Sequence, residues 1–183
     1  MSFPPRRFSL DEYHRLLEGA VLRRGSRTEL LDGVLLERGE RTERQAQAIT
    51  LLHRRLGQLL PPGVSLRADE PLTVSQDTEL TPALAVVPSD VAARAVRHPA
   101  TATLVVEVAD TDLERVRKGH VRAWARAGVH ELWLVNLVDR RIDVLWKPDA
   151  EAFQDAMVLA TPTTLTSRSL PGVTLAVGAL FGL

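Results

Sequence analysis

Apolar residues recur at helical spacing in two parts of the N-terminal half of the chain. Leu10, Tyr13 and Leu16 follow Ser9, which with the glutamate three residues later has the form of a capping box, so a first short helix is predicted there. A longer amphipathic pattern covers residues 46–60 and is stopped by the Pro-Pro-Gly sequence that follows it. Two amphipathic helices are therefore expected before residue 61.

Short apolar runs bounded by turn residues predict the strands, which cover residues 64–74 with a break near Pro71, 82–87, 103–108, 131–137 and 141–146. The run 103–108 lacks polar alternation, so it is expected to be covered on both faces near the centre of a sheet. A helix over 112–127 follows it and ends at Gly128, a residue suited to the left-handed position after a helix.

The Asp32-Gly33 turn signal separates two short apolar segments, 29–31 and 34–36. This pattern is typical of a helix end or a turn that feeds a strand, and it places Glu29 just before the turn. The tail, 170–181, is expected to pack a last apolar strip onto the body. The order of elements predicts one domain over 1–183 of the α/β class, an α+β mixed sheet flanked by helices.

Charge and composition exclude only a few kinds of functional site. The 23 basic and 23 acidic residues give no net field that would concentrate a polyanion, so contact with nucleic acid would depend on local arginine patches. Cysteine is absent, which excludes disulfides, thiolate metal sites and a cysteine nucleophile. Nearly all the basic residues are arginine, since lysine occurs only at Lys118 and Lys147.

No targeting signal is visible along the chain. The first ten residues have no apolar core of signal-peptide length, and no later apolar run approaches the roughly 20 residues that span a bilayer. A cytoplasmic protein without a membrane segment is therefore expected, and the lack of cysteine fits a reducing compartment.

Five stretches in the same order resemble the Uma-two type family of restriction endonucleases, in the PD-(D/E)XK nuclease superfamily. They are FSLDEYHRLLEG, ELLDGVLLER, TPALAVVPSD, LVVEVADTDLERVRKGHVRAWARAGVHELWLVN and LPGVTLAVGALF. They cover most of the chain, and the long fourth stretch is the most specific. The resemblance implies a restriction-endonuclease-like fold, metal-dependent hydrolysis of DNA phosphodiesters, and a homodimer.

In that family, the resemblance implies, two glutamates, an aspartate after a proline and a lysine on the following helix converge on Mg²⁺ or Mn²⁺. The glutamates match Glu29 and Glu107, which are the expected metal ligands. The aspartate position is Ala83, and the lysine position, counted back from Gly128, is His120. A third departure is Val116, where the family often has an aspartate.

These losses predict a degenerate site. Losing a group that transfers a proton or stabilises developing charge typically lowers the rate by about 10²- to 10⁴-fold. Lys118 does not easily substitute, because two positions correspond to about 200° around a helix and it should point away from Glu107. Histidine at position 120 can in principle act as a general base or as a ligand. Replacement ligands from Asp110, Asp112, Glu114 or Glu79 are a further alternative.

Simpler interpretations stand beside these. An arginine can satisfy a buried Glu107, a glutamate beside a turn is commonly solvated, and His14 and His53 are expected on helix surfaces. The tryptophans are expected in packing roles. Arg54, Arg55 and the arginines from 115 to 126 are expected on solvated helix faces, and these arginines are also the candidates for phosphate contacts.

Two hypotheses follow from these residues. In the first, the chain is a DNA phosphodiesterase, a hydrolase in which Glu29 and Glu107 hold Mg²⁺ or Mn²⁺, and Glu107 and His120 are catalytic. In the second, it is a pseudo-nuclease without a cofactor that keeps the fold and a nucleic-acid or dimer contact but not hydrolysis.

Overall fold

The largest sheet has six strands and contains the central strand that the sequence predicts. The computed structural model describes residues 5–22 and 27–181. Across the sheet the strands are β10 (Phe153–Ala160), β9 (Arg141–Pro148), β8 (Glu131–Asn136), β7 (Leu104–Ala109), β6 (Leu84–Pro88) and β3 (Val64–Ala68). Strands β7 and β8 run parallel, and the other neighbours are antiparallel. Every residue of β7 is buried, which confirms its expected central position.

A second, antiparallel sheet has the order β2 (Val34–Arg38), β1 (Arg27–Leu31), β5 (Thr78–Leu80) and β4 (Leu72–Ser75). Strands β1 and β2 form a hairpin, and the turn residues Asp32 and Gly33 both have positive φ, 49° and 75°. Glu29 therefore lies within a strand, so the expected turn that feeds a strand is confirmed and the alternative of a helix end is wrong. The predicted strand region 64–74 is divided between the two sheets, with the expected break before β4.

One face of the large sheet is covered by helix α2 (Glu43–Leu59), which begins with a capping box at Thr42. Its buried side chains, Ala48, Leu52 and Leu56 among them, pack in one apolar cluster with β6, β7, β8 and the C-terminal tail. The tail contributes a two-stranded hairpin and a short 3₁₀ turn, β11 (Thr164–Thr166), β12 (Thr174–Ala176) and Gly178–Leu180. The prediction that the tail packs onto the body is thus confirmed.

The opposite face packs against the small sheet and a helical segment that follows β7. This segment has three parts: α4 (Leu113–Arg115), a π-helical turn (Val116–His120) and α5 (Val121–Arg126). Gly128 closes it with φ of 67°, as expected. The predicted helix over 112–127 is therefore present, but a π turn interrupts it.

The first helix, α1 (Leu10–Glu18), has the predicted capping box, in which Glu12 N–H donates to Ser9 and Glu12 accepts from the Ser9 N–H. Several elements have no counterpart among the predictions, namely α3 (Ser89–Arg94), β5, β10 and β11. None of the helices in the described ranges has the length and apolar character of a bilayer span. Residues 1–4, within the stretch that shows no signal-peptide core, lie outside those ranges.

Candidate functional site

Glu107 and His120 are brought together beneath the small sheet. Glu107 lies on central strand β7 and is fully buried. His120 ends the π turn, and its Nδ1 lies 3.0 Å from Glu107 Oε1. The Trp124 indole, one turn further along, donates to the same oxygen at 3.0 Å. The helix therefore presents two donors to one carboxylate, through residues four positions apart.

Glu29 meets the other side of the same imidazole. Its Oε2 lies 3.1 Å from His120 Nε2, an ion-pair distance, although this oxygen is not aligned for a hydrogen bond. Its Oε1 accepts from the Thr81 N–H at 2.9 Å, which ties β1 to the segment before β6. His120 therefore bridges two buried carboxylates on two different sheets.

Arg38 is the fourth charged member of this cluster. Its Nη1 donates to Glu29 Oε1 at 3.0 Å and to the Thr81 carbonyl at 2.8 Å, and its Nη2 lies 3.9 Å from Glu107 Oε2. We call Glu29, Arg38, Glu107 and His120 the buried quartet. With His120 protonated, two cations balance two carboxylates, so the quartet has no net charge.

The surroundings of His120 favour its protonated form. Burial by itself lowers the pKa of an imidazole, but hydrogen bonds and charges from Glu107 and Glu29 outweigh it and raise the pKa of His120 to about 9. At neutral pH both ring nitrogens therefore carry protons. A ring in this state cannot accept a proton, so it is not poised to act as a general base.

Glu29 and Arg38 have pKa shifts that are consistent with this charge state. Burial raises the pKa of Glu29, but the His120 ring, Arg38 and the Thr81 N–H outweigh burial and lower it overall. For Arg38, burial lowers the pKa, and the carboxylates of Glu107 and Glu29 reverse this and raise it. Glu29 and Arg38 are therefore each held in the charged form by the opposite charges around them.

The remaining positions that the resemblance implies do not join the quartet. Strand β6 pairs Leu84 with Val106, so one further residue of this register would bring Ala83 opposite Glu107, but its methyl group packs in the apolar core. Val116 is also buried in an apolar cluster. Lys118 points outward, where it forms an ion pair with Glu114, as the helical angle predicts.

The alternative ligands are engaged elsewhere. Glu79 accepts from His14 and from Thr73, and His14 is buried by this contact, so its expected place on a helix surface is wrong. Asp110 accepts from Thr42 and Arg44 at the start of α2. Asp112 accepts from Gln45. These groups therefore form separate contacts around the quartet.

The surface expectations hold for some residues and not for others. His53, Arg54 and Arg55 are exposed on α2, as predicted. Arg122 and Arg126 are exposed as predicted, and Arg126 forms an ion pair with Asp32, whereas Arg117 is only partly exposed and forms an ion pair with Asp143. The helix that bears His120 is thus tied by its arginines to both sheets.

The arrangement of the quartet does not fit a divalent metal. Magnesium and manganese prefer several hard oxygen ligands together with water, whereas the position between Glu29 and Glu107 is occupied by a cationic ring. Within residues 5–22 and 27–181, no group of three or more His, Asp or Glu side chains is arranged to hold a metal ion. The assignment of Glu29 and Glu107 as metal ligands and of Glu107 and His120 as catalytic stays a prediction.

Sequence reasoning missed Arg38, although the hairpin contained its signal. A two-residue turn at Asp32-Gly33 pairs Leu31 with Val34, and the register then pairs Arg27 with Arg38. Residues at every second position share a face, so Arg38 lies on the same face as Glu29. Reading the turn as a hairpin would have placed this arginine beside the glutamate.

Known proteins resemble the chain in sequence and in fold. The family Uma2, described as "Putative restriction endonuclease", matches residues 10–178. The chain belongs to this family. A solved structure with a similar fold is titled a "putative nuclease belonging to DUF820" from Anabaena variabilis ATCC 29413. It is 15% identical, with a TM-score of 0.78, and the match covers 96% of this chain and 98% of that one.

At this identity the likeness shows the fold alone, and it agrees with the restriction-endonuclease-like fold expected for a Uma2 protein. No curated protein matches the chain in sequence. The family membership and the nuclease-like fold are thus established, while the chemistry of the quartet depends on its geometry.

Proposed function

We propose that this Uma2 protein has a degenerate PD-(D/E)XK site and contacts nucleic acid without hydrolysing it. The observation that carries the proposal is the His120 bridge, with Nδ1 3.0 Å from Glu107 and Nε2 3.1 Å from Glu29. A histidine cation stands where the resemblance implies a metal ion. The two carboxylates are already neutralised, so little electrostatic attraction is left for a divalent ion.

The chemistry of hydrolysis supports the same conclusion. A divalent ion activates water and stabilises charge on the phosphoryl oxygens, and a nearby base or ammonium group assists. Here the aspartate position is an alanine packed in the core, and the lysine position is a protonated histidine with both nitrogens engaged. The chain's own residues therefore hold charge in a fixed arrangement and offer no free base.

The direct test is a titration of the purified protein with Mg²⁺ and with Mn²⁺, together with a plasmid-nicking assay. We expect no saturable binding at millimolar metal and no nicking above background. Metal-dependent nicking that Glu107→Ala abolishes would contradict the proposal. The matched control is Glu114→Ala, which removes an exposed glutamate from the neighbouring helical segment and should change neither measurement.

The second candidate is a metal-dependent phosphodiesterase acting on DNA. The observation in its favour is that Glu29, Glu107 and His120 meet in one buried cluster, as the hypothesis requires. In that case Mg²⁺ or Mn²⁺ would be held by the two glutamates. The nicking assay separates the two candidates directly.

A double variant, Ala83→Asp with His120→Lys, distinguishes a degraded site from a rebuilt one. It returns the two residue types that the resemblance implies. We expect that metal binding does not return, because Arg38 still lies beside both carboxylates. Saturable millimolar Mg²⁺ binding by a folded double variant would instead indicate a site that had only lost ligands.

Assembly and location also remain proposals. We expect a homodimer and a cytoplasmic location, as the sequence resemblance and composition suggest. Light scattering during size-exclusion chromatography would measure the mass in solution, and a single-chain mass would count against the dimer.

A further inference from the structure

An arginine-lined cavity of about 480 Å³ lies directly outside the buried quartet. Arg27, Arg38 and Arg41 line it, from β1, β2 and the segment that follows β2. A neighbouring cavity of about 220 Å³ shares Arg27 and Arg38 and reaches toward the start of α2. Arg38 therefore belongs both to the quartet and to a cleft that is open to solvent.

Arg38 is almost completely buried, yet one of its donors is unused. Its side chain is 5% exposed, and its Nε is buried without a hydrogen-bond partner among the residues that the structure describes. An unsatisfied buried donor of this kind costs free energy, and it calls for an explanation such as an absent ligand.

Arg27 is the least compensated of the three cations. It lies directly opposite Arg38 in the hairpin, where like charges repel. Its Nη1 donates to the Gly39 carbonyl at 3.2 Å, and within the described ranges no carboxylate lies at ion-pair distance from it. Burial, followed by the charges of Arg38 and Arg41, lowers the pKa of Arg27. An anion beside Arg27 would remove this repulsion.

Arg41 completes the cavity wall from the outer side. It forms a two-pronged ion pair with Asp69, whose side chain is 45% exposed. The Arg41 side chain is 20% exposed, so the pair lies at the mouth of the cavity, where a phosphate oxygen competes with the Asp69 carboxylate for the same guanidinium. The planar guanidinium suits carboxylate and phosphate equally well.

Charge balance within the quartet lets an anion approach without a metal. Glu29 and Glu107 would repel a phosphate, but His120 and Arg38 neutralise both. Acidic side chains remain at the cavity, Glu40 and Asp69 among its lining residues. Glu40 is exposed, Asp69 is paired with Arg41, and Glu29, which also lines the cavity, is paired with Arg38. Within the described ranges, Arg27 is thus the lining cation without an ion-pair partner.

We infer that the cavity lined by Arg27, Arg38 and Arg41 is a metal-independent binding site for a phosphate oxyanion, from a nucleic-acid backbone or a small phosphate. The inference rests on the proposed function, because it takes the neutralised quartet as the floor of the site. It adds the ligand class and the residues that bind it.

The test measures binding of a fluorescein-labelled DNA duplex and of inorganic phosphate, both in EDTA. We expect DNA binding that persists in EDTA and that weakens with added salt. Arg27→Gln should weaken it by about tenfold, since a charged hydrogen bond is lost, and should reduce the salt slope by about one. Arg94→Gln is the matched control, because Arg94 is exposed on α3 and pairs only with Asp90 there.

Arg41→Gln gives a second variant at a partly exposed position, in case Arg27→Gln does not fold. The inference is supported if DNA or inorganic phosphate binds saturably and either variant weakens that binding. The probe that binds shows whether the phosphate comes from a nucleic-acid backbone or from a small phosphate. Absence of binding by both probes in EDTA overturns it, as does binding that neither variant changes. Metal-dependent nicking with intact binding in EDTA contradicts the proposed function alone.

Discussion

The parallel neighbours β7 and β8 each carry a buried carboxylate, Glu107 and Glu131. The partners of Glu131 are neutral hydrogen-bond donors, whereas Glu107 belongs to a cluster of charged groups. Glu131, at the start of β8, accepts five hydrogen bonds from neutral donors, with Trp133 Nε1 on Oε1 and four donors of residues 167–169 on Oε2. Within the described ranges it has no ion pair. Glu107 and Glu29, in contrast, face His120 and Arg38, and one oxygen of each lacks a hydrogen bond.

The difference separates a structural carboxylate from a site. All the donors to Glu131 Oε2 come from one segment, so that carboxylate fixes the C-terminal tail onto the large sheet. The quartet joins four separate elements, leaves buried polar atoms unsatisfied within the described ranges and adjoins a cavity. Buried polar atoms without partners are uncommon in folded proteins, and those of the quartet lie beside a cavity.

The largest effect is expected from removing the cation of His120, which lies between the carboxylates of Glu29 and Glu107. His120→Ala leaves Glu29 and Glu107 buried with Arg38 alone, and breaking a buried ion pair in this way costs about 3–5 kcal/mol. We expect that decrease in the free energy of unfolding, measured by urea denaturation at pH 7. Lys118→Ala, on the same helical segment but exposed, should be nearly neutral. Equal effects of the two substitutions would refute the ionic description of the quartet.

Alkaline pH should weaken the quartet and leave the Glu131 system unchanged. The pKa of His120 is about 9 in the folded protein, above the unfolded value of about 6.5, so the folded state holds an extra proton between these values. Stability from this group is complete below about pH 6.5 and is lost as pH rises through 9, by about 3 kcal/mol at most. Tyr13 does not contribute in this window, because its pKa is raised to about 12.

Urea denaturation at several values between pH 6 and pH 10 would measure this loss. Lys118→Ala should retain the wild-type slope, whereas His120→Ala should flatten it. A wild-type profile that is flat from pH 6.5 to 9.5 would show that His120 is not held in its protonated form.

Glu131→Gln provides the smallest of these effects. A glutamine can keep its carbonyl toward the four donors of 167–169, but its amide then faces the Trp133 indole N–H. Removing the charge and leaving that donor unpaired should cost about 2 kcal/mol. The difference from wild type should be constant from pH 6.5 to 9, unlike that of His120→Ala. A difference that grew with pH would mean that the two systems are coupled.

Local sequence signals predicted most of the elements that frame the site. The Ser9 capping box, the α2 pattern and the uninterrupted apolar run of β7 each have a short-range cause, and each is present. Strand β10 was missed because Asp155 interrupts its alternating apolar residues. Asp155 forms an ion pair with Lys147 of neighbouring β9, a partner that only the strand pairing reveals.

The candidate site likewise contains residues that local sequence signals place and residues that they do not. Counting back from Gly128 singles out His120, the last residue of the π turn, and the structure places it beside Glu107. The role of Arg38 follows from the hairpin register that the Asp32-Gly33 turn signal encodes, whereas the role of Thr81 depends on a contact between residues 52 positions apart, which no local pattern encodes. The buried partners of His14 were equally invisible, since Glu79 lies 65 positions away.

The π turn makes the direction of α4 relative to His120 and α5 depend on chain length as well as on residue type. A π turn holds one residue more than an α turn over the same span, and deleting one residue from Val116–His120 would let it relax to α. Everything before the deletion would then rotate by about 100° relative to α5. In a relative, a one-residue gap in this turn would therefore indicate a different arrangement of the segment before it, even where the histidine itself is kept.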